Sequence, residues 1–221
     1  MRALFGLLSL LLVLAPAFAQ EVESEEEKQQ RVALLRDLEE AKRFSVDKKY
    51  KQAKEKYDEI LTTYPENMEA HIGQMDILRS TKPEEAKKYA AKMHTTSKQE
   101  SLPSFIFAGM NKLYEKDLDK AMVSFKTGAD TFPEDAYLAN YYQGYILFLK
   151  RGLDEAIPLL ETALELNPDY IESSYLLGEV YLAKKNNAKV LEHWNDFLLK
   201  VPHTGTRYER VSKVVKQLGG R

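Results

Sequence analysis

Two consecutive segments of the chain, residues 137–170 and 171–204, share one pattern of small, apolar and proline residues. When the segments are aligned, Gly144 falls on Gly178, and each segment closes with a proline near its end. Between the glycine and the proline, apolar residues recur at the spacing of two amphipathic helices. A single helical hairpin has too little surface to bury its own apolar face, so consecutive hairpins have to stack. The pattern therefore predicts an all-α solenoid of antiparallel helix pairs.

The aligned positions resemble those of the tetratricopeptide-repeat family: a small residue where two helices touch, apolar residues between them, and a proline that ends the pair. The resemblance covers nearly all of residues 20–221 and implies a right-handed superhelical solenoid that works by binding. It assigns Trp194 to the core rather than to ligand recognition. The residues at the helix-packing positions of the family are Ala41, Ala53, Tyr57, Gly109, Ala121, Phe125, Gly144, Ala156, Leu160, Gly178, Tyr181, Val190 and Trp194.

The family spacing divides the chain into about five repeats. The second repeat is degenerate, because Met75 occupies the position of the small residue in its first helix. Pro158 is expected in the first turn of the second helix of the fourth repeat, where a missing amide costs little. The predicted repeats are residues 34–67, 68–101, 102–135, 137–170 and 171–203.

Two further segments flank the repeats. Residues 20–33 are predicted to be an acidic lead-in that lengthens the first helix, with Ser24 and Glu27 as a capping box. Residues 204–221 are predicted to form an amphipathic helix and tail that cover the apolar end of the solenoid, with Arg207 on the polar side of the helix. The alternative for this basic helix is to lie on a membrane surface.

The first 19 residues have the composition of a secretory signal peptide: a basic start, an apolar run and the sequence Ala17-Phe18-Ala19. We expect cleavage before Gln20. The apolar run is too short for a membrane span, which needs about 20 residues, so the mature protein is predicted to lack an integral span. The chain has no cysteine, which excludes a lipid-anchored lipoprotein, disulfides and thiolate chemistry. We therefore expect an exported protein that is periplasmic or secreted, and dependence on packing alone suits a bacterial periplasm.

Charge and motifs exclude several classes of function. The 32 basic and 34 acidic residues leave no broad basic field for nucleic acid. The four histidines show no pair at metal-ligand spacing, and no glycine-rich phosphate loop or nucleophile elbow is present. We therefore predict a protein that is not an enzyme, with no catalytic residue, cofactor or metal.

In the tetratricopeptide-repeat family the first helix of each repeat lines a concave groove, and the resemblance carries this role onto the equivalent positions here. Tyrosine, methionine and aliphatic residues crowd the middle of this face, which suits a peptide or helix groove. The lysine and asparagine pair with which some members hold a terminal carboxylate is not present. The predicted groove residues are Leu38, Lys42, Ile72, Arg79, Ile106, Met110, Leu113, Leu138, Tyr141, Tyr145, Phe148, Tyr175 and Glu179.

Two hypotheses for function remain open from the sequence. In the first, the protein is a periplasmic or cell-envelope adaptor that binds a peptide or helix of an unknown partner protein in the groove. In the second, it is a structural protein that forms a homodimer or larger oligomer through the aromatic groove face. The tyrosine cluster at Tyr141, Tyr142 and Tyr145 could also be covered by the protein's own long first helix.

Overall fold

The computed structural model describes residues 24–219, and in this range the chain forms eleven α-helices and one short 3-10 helix, with no strand. The predicted signal peptide and its cleavage point lie outside the described residues. The helices are α1 (Glu25–Val46), α2 (Tyr50–Thr63), α3 (Met68–Thr81), α4 (Pro83–Thr96), α5 (Leu102–Tyr114), α6 (Leu118–Thr131), α7 (Tyr137–Leu149), α8 (Leu153–Leu166), α9 (Ile171–Ala183), α10 (Asn187–Lys200) and α11 (Thr206–Gln217), and the 3-10 helix is Pro133–Asp135.

The helices pack in chain order, each against the next, so that α1 to α10 make five consecutive hairpins. Short turns of one to five residues join them, which forces neighbouring helices to run antiparallel. The last helix, α11, packs on α10. The prediction of an all-α solenoid of stacked hairpins is therefore confirmed.

Helix pairs approach closely in the last three hairpins because a glycine on the first helix faces a large side chain on the second. A Cβ atom placed on Gly178 would lie 2.0 Å from the Trp194 indole, and one placed on Gly109 would lie 2.6 Å from the Phe125 ring. Both large side chains are fully buried, and the Trp194 indole NH donates to the Tyr175 carbonyl at 3.1 Å. Glycine is therefore required at these positions for steric reasons.

The same relation holds between Gly144 and Leu160, where the added Cβ would lie 2.7 Å from the leucine side chain. The other residues that the family resemblance assigns to helix packing are also buried; they are Ala41, Ala53, Tyr57, Ala121, Ala156, Tyr181 and Val190.

The second hairpin reverses this arrangement. Met75, on α3, takes the position of the glycines and is fully buried. The turn before α4 is the single residue 82, against three residues in each of the other hairpins, and Ala90 takes the place of Phe125 and Trp194 on the second helix. Met75 and Ala90 belong to one buried cluster. The large side chain therefore comes from the first helix, and the small one from the second.

A glycine in α3 also joins the first two hairpins. A Cβ atom at Gly73 would lie 2.1 Å from the Tyr57 ring, which comes from α2 and is 3% exposed. Gly73 thus gives Tyr57 the space to insert between hairpins.

Of two local signals expected from the sequence, a capping box and a proline in a first turn, the structure has the first and not the second. Ser24 and Glu27 form the predicted capping box at the start of α1, with the Glu27 amide donating to the Ser24 hydroxyl at 3.2 Å. The expectation for Pro158 is wrong, because α8 begins at Leu153 and places the proline in its second turn. Its missing amide leaves the carbonyl four residues earlier without a helical donor.

Candidate functional site

The concave side of the solenoid encloses a cavity of about 730 Å³. Side chains of the odd-numbered helices make up most of its lining, because the first helix of each hairpin faces inward; Lys116 and Leu118, where α5 turns into α6, complete it. Apolar and aromatic groups make up most of one wall, and charged groups from α1, α3, α9 and α11 lie opposite. Its principal lining residues are Lys42, Val46, Asp76, Arg79, Met110, Leu113, Tyr114, Tyr141, Tyr142, Tyr145, Leu149, Glu172 and Arg207.

A second cavity of about 210 Å³ continues from the first and shares six lining residues with it. Its lining is more polar. Three carboxylates of its wall, on Glu39, Glu69 and Asp76, come from helices α1 and α3. We call the two cavities together the concave cavity, and the second one its polar end.

The ring of helices around the concave cavity is closed because the two ends of the solenoid touch. Helix α11 packs on α1, and the Asp47 carboxylate at the end of α1 accepts hydrogen bonds from the Thr206 amide at 3.0 Å and the Thr206 hydroxyl at 2.8 Å. The hydrogen bond from the Thr206 amide is the main reason that the pKa of Asp47 lies below its usual value. Gly205, with φ +99°, makes the turn that brings α11 to this place.

A buried ionic network lies where α1, α9 and α11 meet. The Glu172 carboxylate, 7% exposed, is 3.2 Å from the Lys42 ammonium and 2.8 Å from the Arg207 guanidinium. Glu39 lies 3.9 Å from Arg207 on the other side. Two cations therefore share two carboxylates in a region that excludes most water.

The two carboxylates of this network titrate in opposite directions. Burial alone would raise the pKa of Glu172, but the adjacent Arg207 and then Lys42 outweigh burial and lower it. Burial, and next the negative charge of Glu172, raises the pKa of Glu39 to about 7. At neutral pH Glu172 is the ionised partner of the two cations, and Glu39 is partly protonated.

Two further carboxylates at the polar end accept hydrogen bonds from tyrosines. The Tyr137 hydroxyl donates to Glu69 at 2.9 Å, and the Tyr114 hydroxyl donates to Asp76 at 3.2 Å. Burial raises the pKa of both carboxyl groups. At Asp76 the positive charge of Arg79, 3.5 Å away, partly offsets this rise. The polar end therefore presents tyrosine hydroxyls paired with carboxyl groups, as donors and acceptors of hydrogen bonds.

Tyr141, Tyr142 and Tyr145 of α7 all line the concave cavity, and Tyr142 also packs into the core. Tyr142 is 7% exposed and stacks on Phe125 with ring centroids 5.1 Å apart. Tyr141 packs edge-on against Tyr170 at 5.1 Å, and it stacks with Tyr145 at 6.4 Å. Tyr141 and Tyr145 both line the cavity. Helix α1 lies across the same cavity through Lys42 and Val46 without filling it.

Nine of the thirteen residues that the sequence places in the groove line the concave cavity. The side chains of Ile72, Leu138 and Met110 form its floor and are at most 5% exposed. The nine are Leu38, Lys42, Ile72, Arg79, Met110, Leu113, Leu138, Tyr141 and Tyr145.

The other four predicted groove residues lie elsewhere. Ile106 is fully buried in the core, and Phe148 packs in the C-terminal hydrophobic cluster. Helix α11 covers Tyr175 and Glu179: Arg210 donates to the Tyr175 hydroxyl at 2.9 Å and to the Glu179 carboxylate at 3.1 Å. The capping helix occupies the inner face of the last hairpin, so this part of the predicted groove is not open.

Sequence reasoning missed the ionic network. Arg207 is predicted on the outer, polar side of the capping helix, yet its side chain is only 14% exposed. The reason is that α1 folds across the solenoid and meets this side of α11. Contacts between positions 39 and 207 have no local signal in a sequence, and only the closure of the whole array brings them together.

Comparison with known proteins supports the fold. Residues 144–185 match the sequence model of the tetratricopeptide-repeat family, described as TPR repeat. The family resemblance inferred from the sequence is confirmed by this match together with the fold: residues 144–185 match a tetratricopeptide repeat, and the described chain has the solenoid fold of such repeats. A search of curated protein sequences found no significant match.

Solved structures similar to this chain include three that cover most of it. A TPR protein of Thermus thermophilus has a TM-score of 0.57 at 16% identity, over 83% of this chain and 99% of that one. PilW, a widely conserved type IV pilus biogenesis factor, has a TM-score of 0.54 at 16% identity, over 86% and 87%. Pseudomonas aeruginosa pilF has a TM-score of 0.50 at 14% identity, over 86% of each chain. At these identities the likeness establishes the fold.

No described helix is long and apolar enough to cross a membrane.

Proposed function

We propose that the protein is a non-enzymatic interaction scaffold that holds a short peptide segment of a partner protein in the concave cavity. The observation that carries this proposal is the cavity itself: about 730 Å³ of space on the inner face of a tetratricopeptide solenoid, walled by tyrosine, methionine and leucine. This volume falls within the range of about 300–1,000 Å³ that is usual for binding sites.

The chemistry of the wall favours an extended peptide with an apolar or aromatic side chain. Tyr141, Tyr145 and Met110 offer large contact area, and the tyrosine hydroxyls add hydrogen-bonding capacity. The donors and acceptors of the polar end suit the amides of a peptide backbone. Because α1 and α11 close the concave side, the space favours a short segment over a long helix.

We further propose that this binding takes place in a bacterial periplasm or cell envelope. The support is the signal-like sequence of residues 1–19 and the absence of cysteine, which also argues against a lipid anchor. A solenoid without cysteine is stabilised by packing alone, so it can fold in such a compartment without forming disulfides.

The alternative, a homodimer through the aromatic groove face, is not favoured by the geometry. Tyr141 and Tyr145 lie inside a cavity that Lys42 and Val46 of α1 help to enclose. A second copy could not lie flat on these rings without displacing α1.

The test is selection from a random peptide library displayed on phage, followed by calorimetric titration of the selected peptides. We expect peptides that bind the wild type and lose affinity at least about tenfold for Tyr141→Ala/Tyr145→Ala, since buried aromatic anchors carry much of the energy of such sites. The matched control is Val123→Ala, a 64% exposed residue of α6 outside the cavity. Thermal melts check that both variants fold. Peptides that bind all three proteins equally, or no enrichment over an empty surface, would refute the proposal.

A further inference from the structure

The two edges of the solenoid carry opposite charge. Because neighbouring helices are antiparallel, the turns inside hairpins lie along one edge and the turns between hairpins along the other. The turns inside hairpins, residues 47–49, 82, 115–117, 150–152 and 184–186, hold eight lysines and arginines against three acids. The turns between hairpins, residues 64–67, 97–101, 132–136, 167–170 and 201–205, hold five acids against one lysine.

Helix dipoles do not account for this separation. In every hairpin each edge receives the carboxyl end of one helix and the amino end of another, so the partial charges of the helix ends cancel along both edges. The difference between the edges therefore comes from the side chains alone.

Backbone conformation singles out the charged positions further. Among the described residues, five that are not glycine have a positive φ, a conformation that side chains rarely adopt and that glycine takes without strain. Each of the five carries a charge whose sign matches its edge. Four are cations in turns inside hairpins, and the fifth, Glu100, is an acid in a turn between hairpins. They are Lys48, Lys116, Arg151, Lys185 and Glu100.

The four cations with a positive φ in the turns inside hairpins have no ion-pair partner in the described part of the chain. Lys48, Lys116, Arg151 and Lys185 are exposed, and none of them forms an ion pair with another residue of 24–219; the last three lie in consecutive hairpins. The lysine next to Arg151 behaves differently, since Lys150 pairs with Asp119 of the preceding hairpin. We call Lys116, Arg151 and Lys185 the basic ridge; they belong to the third, fourth and fifth hairpins.

The opposite edge has a matching row of acids. Glu66, Glu100 and Glu134 are exposed and likewise form no ion pair with another described residue. They lie in the turns that follow the first, second and third hairpins, and we call them the acidic ridge; Asp135, beside Glu134, is exposed and unpaired as well. The exposed Pro65 and Pro133 lie beside two of them and offer apolar contact.

We propose that the basic ridge of one molecule docks on the acidic ridge of a second copy, so that molecules associate head to tail. Each ridge has a charge in each of three consecutive hairpins, so the two ridges repeat at the same hairpin spacing. An anionic lipid surface would account for the basic ridge alone, whereas a second copy accounts for both. Such a contact is heterologous, and of the three residues of the basic ridge only Lys116 also lines the concave cavity.

The experiment exchanges charges between the ridges and follows association by sedimentation velocity over a range of concentrations. One variant reverses the basic ridge, Lys116→Glu/Arg151→Glu/Lys185→Glu, and the other reverses the acidic ridge, Glu66→Lys/Glu100→Lys/Glu134→Lys. We expect the wild type to associate at low salt and to dissociate in about 1 M salt, where the screening length falls to ~3 Å. Each variant alone should associate at least about tenfold more weakly than the wild type, because its two ridges carry like charges. An equimolar mixture of the two variants should recover the wild-type association.

A third variant, Lys88→Glu/Lys92→Glu/Lys126→Glu, has the same net charge as the first but changes the outer faces of α4 and α6. It should associate as the wild type does, and thermal melts should show all variants folded. Three results would overturn the proposal: a wild type that stays monomeric at every concentration, a mixture that fails to recover association, or equal loss in the third variant. Binding of the monomeric wild type to vesicles of anionic lipid would assign the basic ridge to a membrane instead.

Discussion

The second and fifth hairpins fill the same space with opposite residues. In the fifth, Gly178 on the first helix leaves room for Trp194 on the second. In the second, Met75 on the first helix meets Ala90 on the second, and both are fully buried. The two hairpins show that the fold constrains the summed volume between the helices rather than the residue at each position. A repeat that departs from its family pattern at one position can therefore keep the fold by a compensating change at the facing one.

The strongest test of this difference places a leucine at the same position of both hairpins. Gly178→Leu should lower the free energy of unfolding by about 3 kcal/mol or more, because even its Cβ would lie 2.0 Å from the Trp194 indole. Met75→Leu conserves volume and should cost less than about 1.5 kcal/mol. Urea denaturation of both variants measures the contrast, and equal costs would show that the two hairpins pack in the same way.

Removal of an arginine compares a buried ion pair of α11 with a more exposed one on the same helix. Arg207→Ala should cost about 3 kcal/mol, because it leaves Glu172 buried and short of a cation. Arg210→Ala removes a neighbouring arginine of the same helix that is 46% exposed, and should cost about 1 kcal/mol or less. If the two substitutions have the same effect in chemical denaturation, the network is not a buried one.

A double-mutant cycle can convert the second hairpin to the arrangement of the third. Met75→Gly and Ala90→Phe should each destabilise the protein, the first by leaving a cavity and the second by overpacking. Together they should recover about 1–2 kcal/mol of the summed loss, since the added ring would occupy the vacated space. Additive losses would mean that Met75 and Ala90 do not share one space.

The smallest expected effect concerns pH. Glu39 has a pKa raised by burial to about 7 from an ordinary value of 4.5, so in this range the folded state holds a proton that the unfolded state has released. The contribution of Glu39 to stability therefore falls as pH rises from about 4.5 to about 7. Glu39→Gln should remove this fall and stabilise the protein at pH 8 by on the order of 1 kcal/mol. Denaturation at several pH values measures it, and an unchanged slope would place Glu39 in water.

The hairpins were predictable because their signals are local and repeated. Gly144 and Gly178 recur 34 residues apart, each 16 residues before a large apolar residue, and an apolar spacing of 3.6 residues identifies each helix. Most of the concave cavity followed from the family resemblance, since Tyr141, Tyr145 and Met110 take inward positions. In these parts the structure of one hairpin depends little on any distant part of the chain.

The closure was not predictable from the sequence. It depends on how small rotations between hairpins add up over the whole array, and no residue specifies that sum. For this reason Arg207 was placed on the surface, and Tyr175 and Glu179 were placed in the open groove. The sequence shows that α11 caps the last hairpin but not that it reaches α1.

The closure between α1 and α11 is also the central claim of this account, because it defines the cavity in which a partner would bind. The chain has no cysteine, so a single engineered pair reports on it directly. We would make Asp47→Cys/Thr206→Cys, whose native side chains are joined by a 2.8 Å hydrogen bond, and Asp47→Cys/Glu134→Cys as the control. We predict that mild oxidation forms an intramolecular disulfide in the first protein and not in the second. Absence of the disulfide in the first protein, or equal formation in both, would contradict the contact between α1 and α11.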